Sequence, residues 1–277
     1  MSTQPFRRSV ARVSTAWDAE RVASWLRRAE ALERQLAPVS AVLFEAAALQ
    51  PGERVLDVGC GTGPTTREAA LAVGDAGRVT GIDLSTDMIE VARNASAPSI
   101  DWIAADVATW EPPAASWDVV LSRFGVMFFD DPPSAFAALA RATAPGGRLA
   151  VATWSRRTAC PLFEVPLQAA LSVLRDVTPP PPDAGPFSLH DPDAIARLLE
   201  EAGWSTASTV THDLDLIVED DAAGFLDVGP TRIVTQGVDE AARAKVVAAI
   251  DDALRDHVDA DERVVLRGRV LVTTASR

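Results

Sequence analysis

Between residues 54 and 153, short apolar runs alternate with stretches in which apolar positions recur every three or four residues. The short runs, at 54–58, 78–82, 100–104, 118–122 and 148–153, have the length and composition of strands buried on both faces. The periodic stretches predict helices over 64–73, 86–95 and 132–144, with turns at Gly74 to Gly77 and at Pro145-Gly146-Gly147. Strand and helix alternating at this pitch predict an α/β fold, a doubly wound and mostly parallel sheet covered by helices on both faces.

On either side of this stretch the pattern changes. Trp17, Val22, Trp25, Leu26, Ala29, Leu32 and Leu36 form a helical stripe that Pro38 is expected to end, and a second helical run over 39–49 stops at Pro51-Gly52. Beyond Trp154, residues 155–189 contain "TPPPPPDAGP", and a segment so interrupted by proline predicts neither a central strand nor a long helix. A helix over 191–202 follows, with Pro192 in its first turn and Gly203 at its end, then a strand over 206–218. Val246, Val247, Ile250 and Leu254 share one helical face, and "VVLRGRVLVTTA" supplies a seventh strand. The expected organisation is a helical cap over 1–50, a ligand-binding core over 51–154, a lid or connector over 155–190, and the rest of the core over 191–277 with a helical insertion at 219–262.

Composition narrows the partners. With 277 residues, 48% of them hydrophobic, the chain can bury a large core, and a formal charge of −13 would repel a phosphate backbone. Small molecules are expected as partners, and nucleic acid is not. The two cysteines, Cys60 and Cys160, fit neither a disulfide framework nor a zinc cluster, so no metal site and a reducing cytoplasm are expected. Nothing approaches 18 uninterrupted apolar residues, and no membrane span is expected. The oligomeric state stays open, a homodimer being one option.

The densest chemical signal is "VLDVGCGTG" at 55–63, a strand ending in an acid and three glycines. A dinucleotide site of the G-x-G-x-x-G kind needs its third glycine at position 64, where Pro64 stands; here the spacing is G-x-G-x-G. Preceded by an acid, that spacing resembles the first motif of the class I S-adenosylmethionine-dependent methyltransferases. "VTGIDLS", "IAADV", "WDVVLSRFGVMFF" and "ATAPGGRLAVATW" resemble the motifs that follow it in that family, in the same order. The wider chain, with its N-terminal tryptophans and "GPFSLHDPD", is similar to the type-11 group related to the ubiquinone/menaquinone methyltransferases.

The resemblance implies a seven-stranded Rossmann-like sheet, S-adenosylmethionine as methyl donor and S-adenosylhomocysteine as product. Gly59, Gly61 and Gly63 would let backbone amides approach the methionine portion, with Asp57 ordering the loop. Asp83, at the end of the second strand, would accept from the ribose hydroxyls, while Leu84 and Met88 would pack on the adenine. Asp106 and Val107 would meet the adenine amino group, and Ser122 and Arg123 would face the methionine end and the acceptor mouth. Met127, Phe128, Trp154 and Phe163, with Trp17 and Trp25, are candidates for an apolar acceptor pocket, or for ordinary core. Candidate bases are His190 and Glu164, although in-line displacement can proceed by positioning alone. Cys60 reads as a buried filler, with no histidine beside it to activate the thiol.

The implied reaction is methyl transfer to a small-molecule acceptor, apolar or aromatic. Two alternatives stand beside it: a cyclisation or elimination carried out on a bound S-adenosylmethionine scaffold, and nicotinamide-dependent oxidoreduction, which the glycine spacing disfavours.

Overall fold

The computed structural model describes residues 19–96, 99–219 and 221–277. Seven strands form one sheet: β1 (Arg54–Val58), β2 (Arg78–Asp83), β3 (Ile100–Ala104), β4 (Trp117–Arg123), β5 (Thr143–Trp154), β6 (Ser205–Val218) and β7 (Val264–Ser276). Their order is β3-β2-β1-β4-β5-β7-β6. The first five run parallel, and β7 lies antiparallel between β5 and β6.

Nine α-helices cover the sheet and the strand ends: α1 (Ala19–Arg27), α2 (Ala29–Ala47), α3 (Pro64–Val73), α4 (Thr86–Asn94), α5 (Pro132–Ala142), α6 (Pro161–Val173), α7 (Pro192–Glu201), α8 (Gly229–Thr235) and α9 (Glu240–Leu254), counted among the described residues. Successive strand residues point to opposite faces. Val55, Leu121 and Ala150 pack with Leu36, Leu43, Leu167 and Ile250 on one side; Leu56, Val120 and Leu149 pack with Phe136, Leu139, Ile195 and Leu199 on the other. The two cores explain why β1, β4 and β5 read as unbroken apolar runs.

Three expectations need correction. Pro38 does not end a helix: α2 runs through it, and the break lies at Arg28, whose φ of −115° and ψ of 4° leave the helical region. Leu32, Leu36, Val39, Leu43 and Ala47 stay in phase and buried across the proline, and that burial outweighs one missing backbone hydrogen bond. The segment 155–189 does contain a long helix, α6, of 13 residues. Pro161 sits in its first turn, where no donor is needed, and Leu162, Leu167 and Ala170 bury the face that carries Pro166. Finally, Pro145-Gly146-Gly147 is no free turn. It lies within β5 at a register irregularity, with the Gly146 amide donating to the Arg277 carbonyl at 3.1 Å.

Candidate functional site

The chain runs outward from β1 through β2 to β3, then returns to β4 on the other side of β1. At that reversal, above the carboxyl ends of these strands, lies a cavity of 580 Å³. Gly59, Gly61, Asp83, Leu84, Met88, Asp106, Val107 and Arg123 line one part of it; Trp25, Met127, Phe128, Trp154 and Phe163 line another. Trp17 lies outside the described residues.

Each glycine of the turn has its own duty. Gly59 has φ 66° and touches the Gly125 backbone: a Cβ there would fall 2.5 Å from the Gly125 Cα. Ser122 braces the contact, its hydroxyl donating to the Val58 carbonyl at 2.7 Å and accepting from the Gly125 amide at 3.2 Å. Gly63 has φ 82°, precedes α3 and packs under the Trp102 ring. Only Gly61 (φ 54°) opens onto free space, for a Cβ built on it meets no atom within 4 Å. Gly63 and Ser122 therefore shape the loop from behind and do not line the cavity.

Asp57 is fully buried, its Oδ2 accepting from Thr65 at 2.6 Å and Thr66 at 2.7 Å; its Oδ1 has no hydrogen-bond partner. Burial pushes this carboxyl above its usual range, against the pull of both hydroxyls. It too lies behind the cavity wall. Asp83 accepts from the Gly61 amide at 2.9 Å and the Ser85 amide at 2.8 Å, which fixes its carboxylate at the rim of the turn. Burial raises this carboxyl as well, with the two amides opposing. Beside it Leu84 is 59% exposed, an unusual state for a leucine at a cavity wall, whereas Met88 is buried. The Cys60 thiol is pushed well up by burial and by the neighbouring Asp57 and Asp83, as befits a filler. Asp106 is exposed, and its carboxylate caps the next turn through the Ala108 amide at 2.9 Å.

These features fit S-adenosylmethionine. An open glycine lets a ligand reach backbone, Asp83 keeps spare acceptor capacity toward the cavity, and Leu84 with Met88 offers an apolar platform.

The other part of the cavity has an aromatic wall. Phe124 stacks on Trp154 with centroids 4.2 Å apart; Trp154 meets Phe163 edge-on at 5.0 Å, and Phe163 meets Phe187 at 5.1 Å. Phe124 is held at φ 66°, a left-handed conformation that costs a non-glycine residue about 1 kcal/mol or more. Opposite stand α1, α2, a short 3-10 turn (Ala222–Leu226) and α8.

The two candidate bases lie off the cavity. Glu164 accepts from the buried Arg157 at 2.6 Å and from Gln168 at 2.7 Å. His190 is engaged at both ring nitrogens, Nδ1 with the Phe187 carbonyl at 2.8 Å and Nε2 with Arg156 at 3.0 Å. Arg123 reaches the cavity with its cation already engaged by Glu33 and Ser40 of α2. Sequence reasoning missed Glu33, Gly125, Phe187 and the 222–235 segment. Gly125 alone left a local signal, a glycine directly past a strand exit.

Residues 55–147 match the family model of a methyltransferase domain. Over 177 residues the chain is 32% identical to demethylmenaquinone methyltransferase from Renibacterium salmoninarum, covering 60% of this chain and 73% of the relative. It is 30% identical over 183 residues to phosphoethanolamine N-methyltransferase 1 from Arabidopsis thaliana, covering 65% of this chain and 32% of that one. Its fold resembles that of a solved putative methyltransferase from an antibiotic biosynthesis pathway of Anabaena variabilis, with a TM-score of 0.59 at 14% identity, over 85% of this chain and 96% of the other. The chain belongs to the class I S-adenosylmethionine-dependent methyltransferases, within the group related to the ubiquinone and menaquinone enzymes. It is an enzyme that uses S-adenosylmethionine to methylate a small-molecule acceptor. No helix among the described residues is long and apolar enough to cross a membrane.

Proposed function

We propose that the acceptor is a flat, apolar or aromatic metabolite, stacked on the wall formed by Phe124, Trp154, Phe163 and Phe187. The observation that carries this reading is the continuity of one 580 Å³ cavity from the glycine turn to that wall. The relative whose name gives demethylmenaquinone as its acceptor supports a ring system of this kind.

S-adenosylmethionine supplies an electrophilic methyl group on a sulfonium centre. The residues of this chain bind, orient and exclude water. Gly61 lends open backbone, Asp83 accepts from the ribose hydroxyls, Leu84 and Met88 flank the adenine, and Asp106 with Val107 meets its amino edge. Gly59, Gly63, Asp57 and Ser122 hold the turn in shape. Since His190 and Glu164 are spent on other partners, positioning carries the displacement, and an acceptor that is already nucleophilic is favoured. The described part of the 1–50 cap, with the segments 155–190 and 219–262, covers a donor-binding core of 51–154, in a cytoplasmic enzyme with its thiols reduced.

The test is S-adenosylhomocysteine release from S-adenosylmethionine with a reduced 1,4-naphthoquinone as acceptor, and with phosphoethanolamine as the polar control. Turnover of the naphthoquinol alone is expected. Turnover of phosphoethanolamine alone would overturn the reading.

A further inference from the structure

Among the polar side chains that line the cavity, Gln35 stands apart. It lies on α2, is only 8% exposed, and its carboxamide makes no hydrogen bond among the described residues. A primary amide carries two donors and an acceptor, and those of Gln35 are not among the buried polar atoms left without a partner: they open onto the cavity, where a ligand can meet them. The neighbours of Gln35 on the same face, Leu32, Leu36 and Val39, are apolar and buried.

Glu33 and Gln35 both line the cavity from α2, on different sides of the helix. Glu33 and Ser40 lie seven positions apart, nearly two turns, and both bind Arg123 at the exit of β4. Arg28 packs flat against Gly224, where any added Cβ would collide with its guanidinium, and lies 3.7 Å from Asp227. Gln35, Arg28 and residues of the 222–235 segment line the same cavity. Thr231, in the first turn of α8, lines the same cavity, is 2% exposed, and its hydroxyl has no hydrogen-bond partner among the described residues.

We infer that Gln35, assisted by Thr231, is the polar recognition point of the acceptor pocket and reads a carbonyl or hydroxyl oxygen on the flat acceptor. This rests on the reading of the cavity as a methyl-acceptor site. The aromatic wall holds any ring of suitable size; the carboxamide selects the oxygenated one and sets which edge of the ring turns toward the donor methyl. A pocket built to bond an oxygen discriminates against the analogue that lacks it, because the polar group is otherwise left unmet.

The matched probes are 1-naphthol and naphthalene, measured by equilibrium dialysis against protein saturated with S-adenosylhomocysteine, for the wild type, Gln35→Leu and Thr231→Val. The wild type should prefer 1-naphthol by roughly tenfold, about what one hydrogen bond to a buried polar group supplies. Gln35→Leu should abolish that preference, hold naphthalene at least as well, and leave S-adenosylhomocysteine affinity unchanged in calorimetry; Thr231→Val should halve the preference or better. Ligand-free Gln35→Leu should also melt at or above the wild-type temperature, since no protein hydrogen bond is lost, whereas a structural amide would give a lower one. A preference that survives Gln35→Leu, a wild type that binds neither probe, or a Gln35→Leu variant with weakened S-adenosylhomocysteine binding would each overturn the inference. Failure of the wild type to bind S-adenosylhomocysteine would instead sink the methyl-transfer reading, and this inference with it.

Discussion

Arg123, at the exit of β4, donates to both carboxylate oxygens of Glu33 on α2, and its Nη1 also donates to the Ser40 hydroxyl at 2.6 Å. The pair spans 90 positions of sequence and ties α2 to the strand that borders the cavity. The guanidinium is almost buried while the Glu33 carboxylate reaches solvent, so the pair is intermediate between a surface bridge and a core one. Glu33→Gln should therefore destabilise by about 1–2 kcal/mol, because it strands a buried cation. Replacing both partners, as Glu33→Leu with Arg123→Met, should recover most of that loss. Urea denaturation of the three proteins checks the order, and a double variant less stable than Glu33→Gln would contradict it.

Gly59 and Gly61 stand two positions apart in one motif, yet their variants should fail differently. A Cβ on Gly59 meets the Gly125 backbone at 2.5 Å, and backbone cannot step aside cheaply. Gly59→Ala should lower thermal stability and, with it, every activity. Gly61→Val adds its side chain to open cavity, at the cost of a left-handed φ of 54° worth about 1–2 kcal/mol. It should stay folded by circular dichroism and lose S-adenosylhomocysteine binding by at least about a hundredfold, the mark of a filled site. A folded Gly61→Val that binds normally would remove the turn from the donor site.

Asp83→Ala should weaken S-adenosylhomocysteine by about 1.5–3 kcal/mol, the range for losing a charged hydrogen-bond partner, with the fold retained. The ligand-free proteins add a second readout. Burial raises the Asp83 carboxyl above its unfolded value, so its contribution to stability is complete below the unfolded value near 4 and is lost as pH rises through the folded one. The stability of the wild type relative to Asp83→Ala should therefore increase as pH falls from neutral. Calorimetric melts of both proteins across that range would show a difference that moves the other way if the carboxylate were net stabilised.

Strands β1 and β3 and helix α3 have the bounds that hydrophobic pattern predicts, because a strand buried on both faces and a helix opened by Gly63-Pro64 carry their signals locally. Of the residues expected on the donor side, Gly59, Gly61, Asp83, Leu84, Met88, Asp106, Val107 and Arg123 line the cavity, and all but Met88 lie at or just past strand ends. The misreadings share a cause. At Pro38 and Pro166 a local penalty was outvoted by a buried face elsewhere in the fold, which no window of sequence contains. The candidate bases lie off the cavity because partners hold them there: Glu164 has an arginine seven positions away, and His190 one 34 positions away. The acceptor side, assembled from α2, β5, α6 and α8, has no contiguous signature at all.

Ion pairs join the segment before β1 to the 219–235 segment beside the cavity, and a cover over the proposed acceptor pocket would be latched by them. Asp227 sits 3.7 Å from Arg28 and 4.0 Å from Arg27, Arg232 lies 3.5 Å from Glu20, and Arg34 pairs with Glu219. All four contacts join α1, α2 or Arg28 between them to the 219–235 segment, among residues that line the cavity or neighbour its lining. Asp227 carries two of them and is partly exposed, so its electrostatic contribution is modest, about 1 kcal/mol, and open to screening by salt. Asp227→Asn keeps the shape and removes the charge. It should leave S-adenosylhomocysteine affinity within about twofold, since the latch lies away from the glycine turn, and raise the acceptor KM by about three- to tenfold. Salt should do the same to the wild type and much less to the variant, because the screened charge is already gone. Steady-state kinetics of both proteins from low to high sodium chloride measures this, and equal salt sensitivity would show that Asp227 does not hold the cover shut.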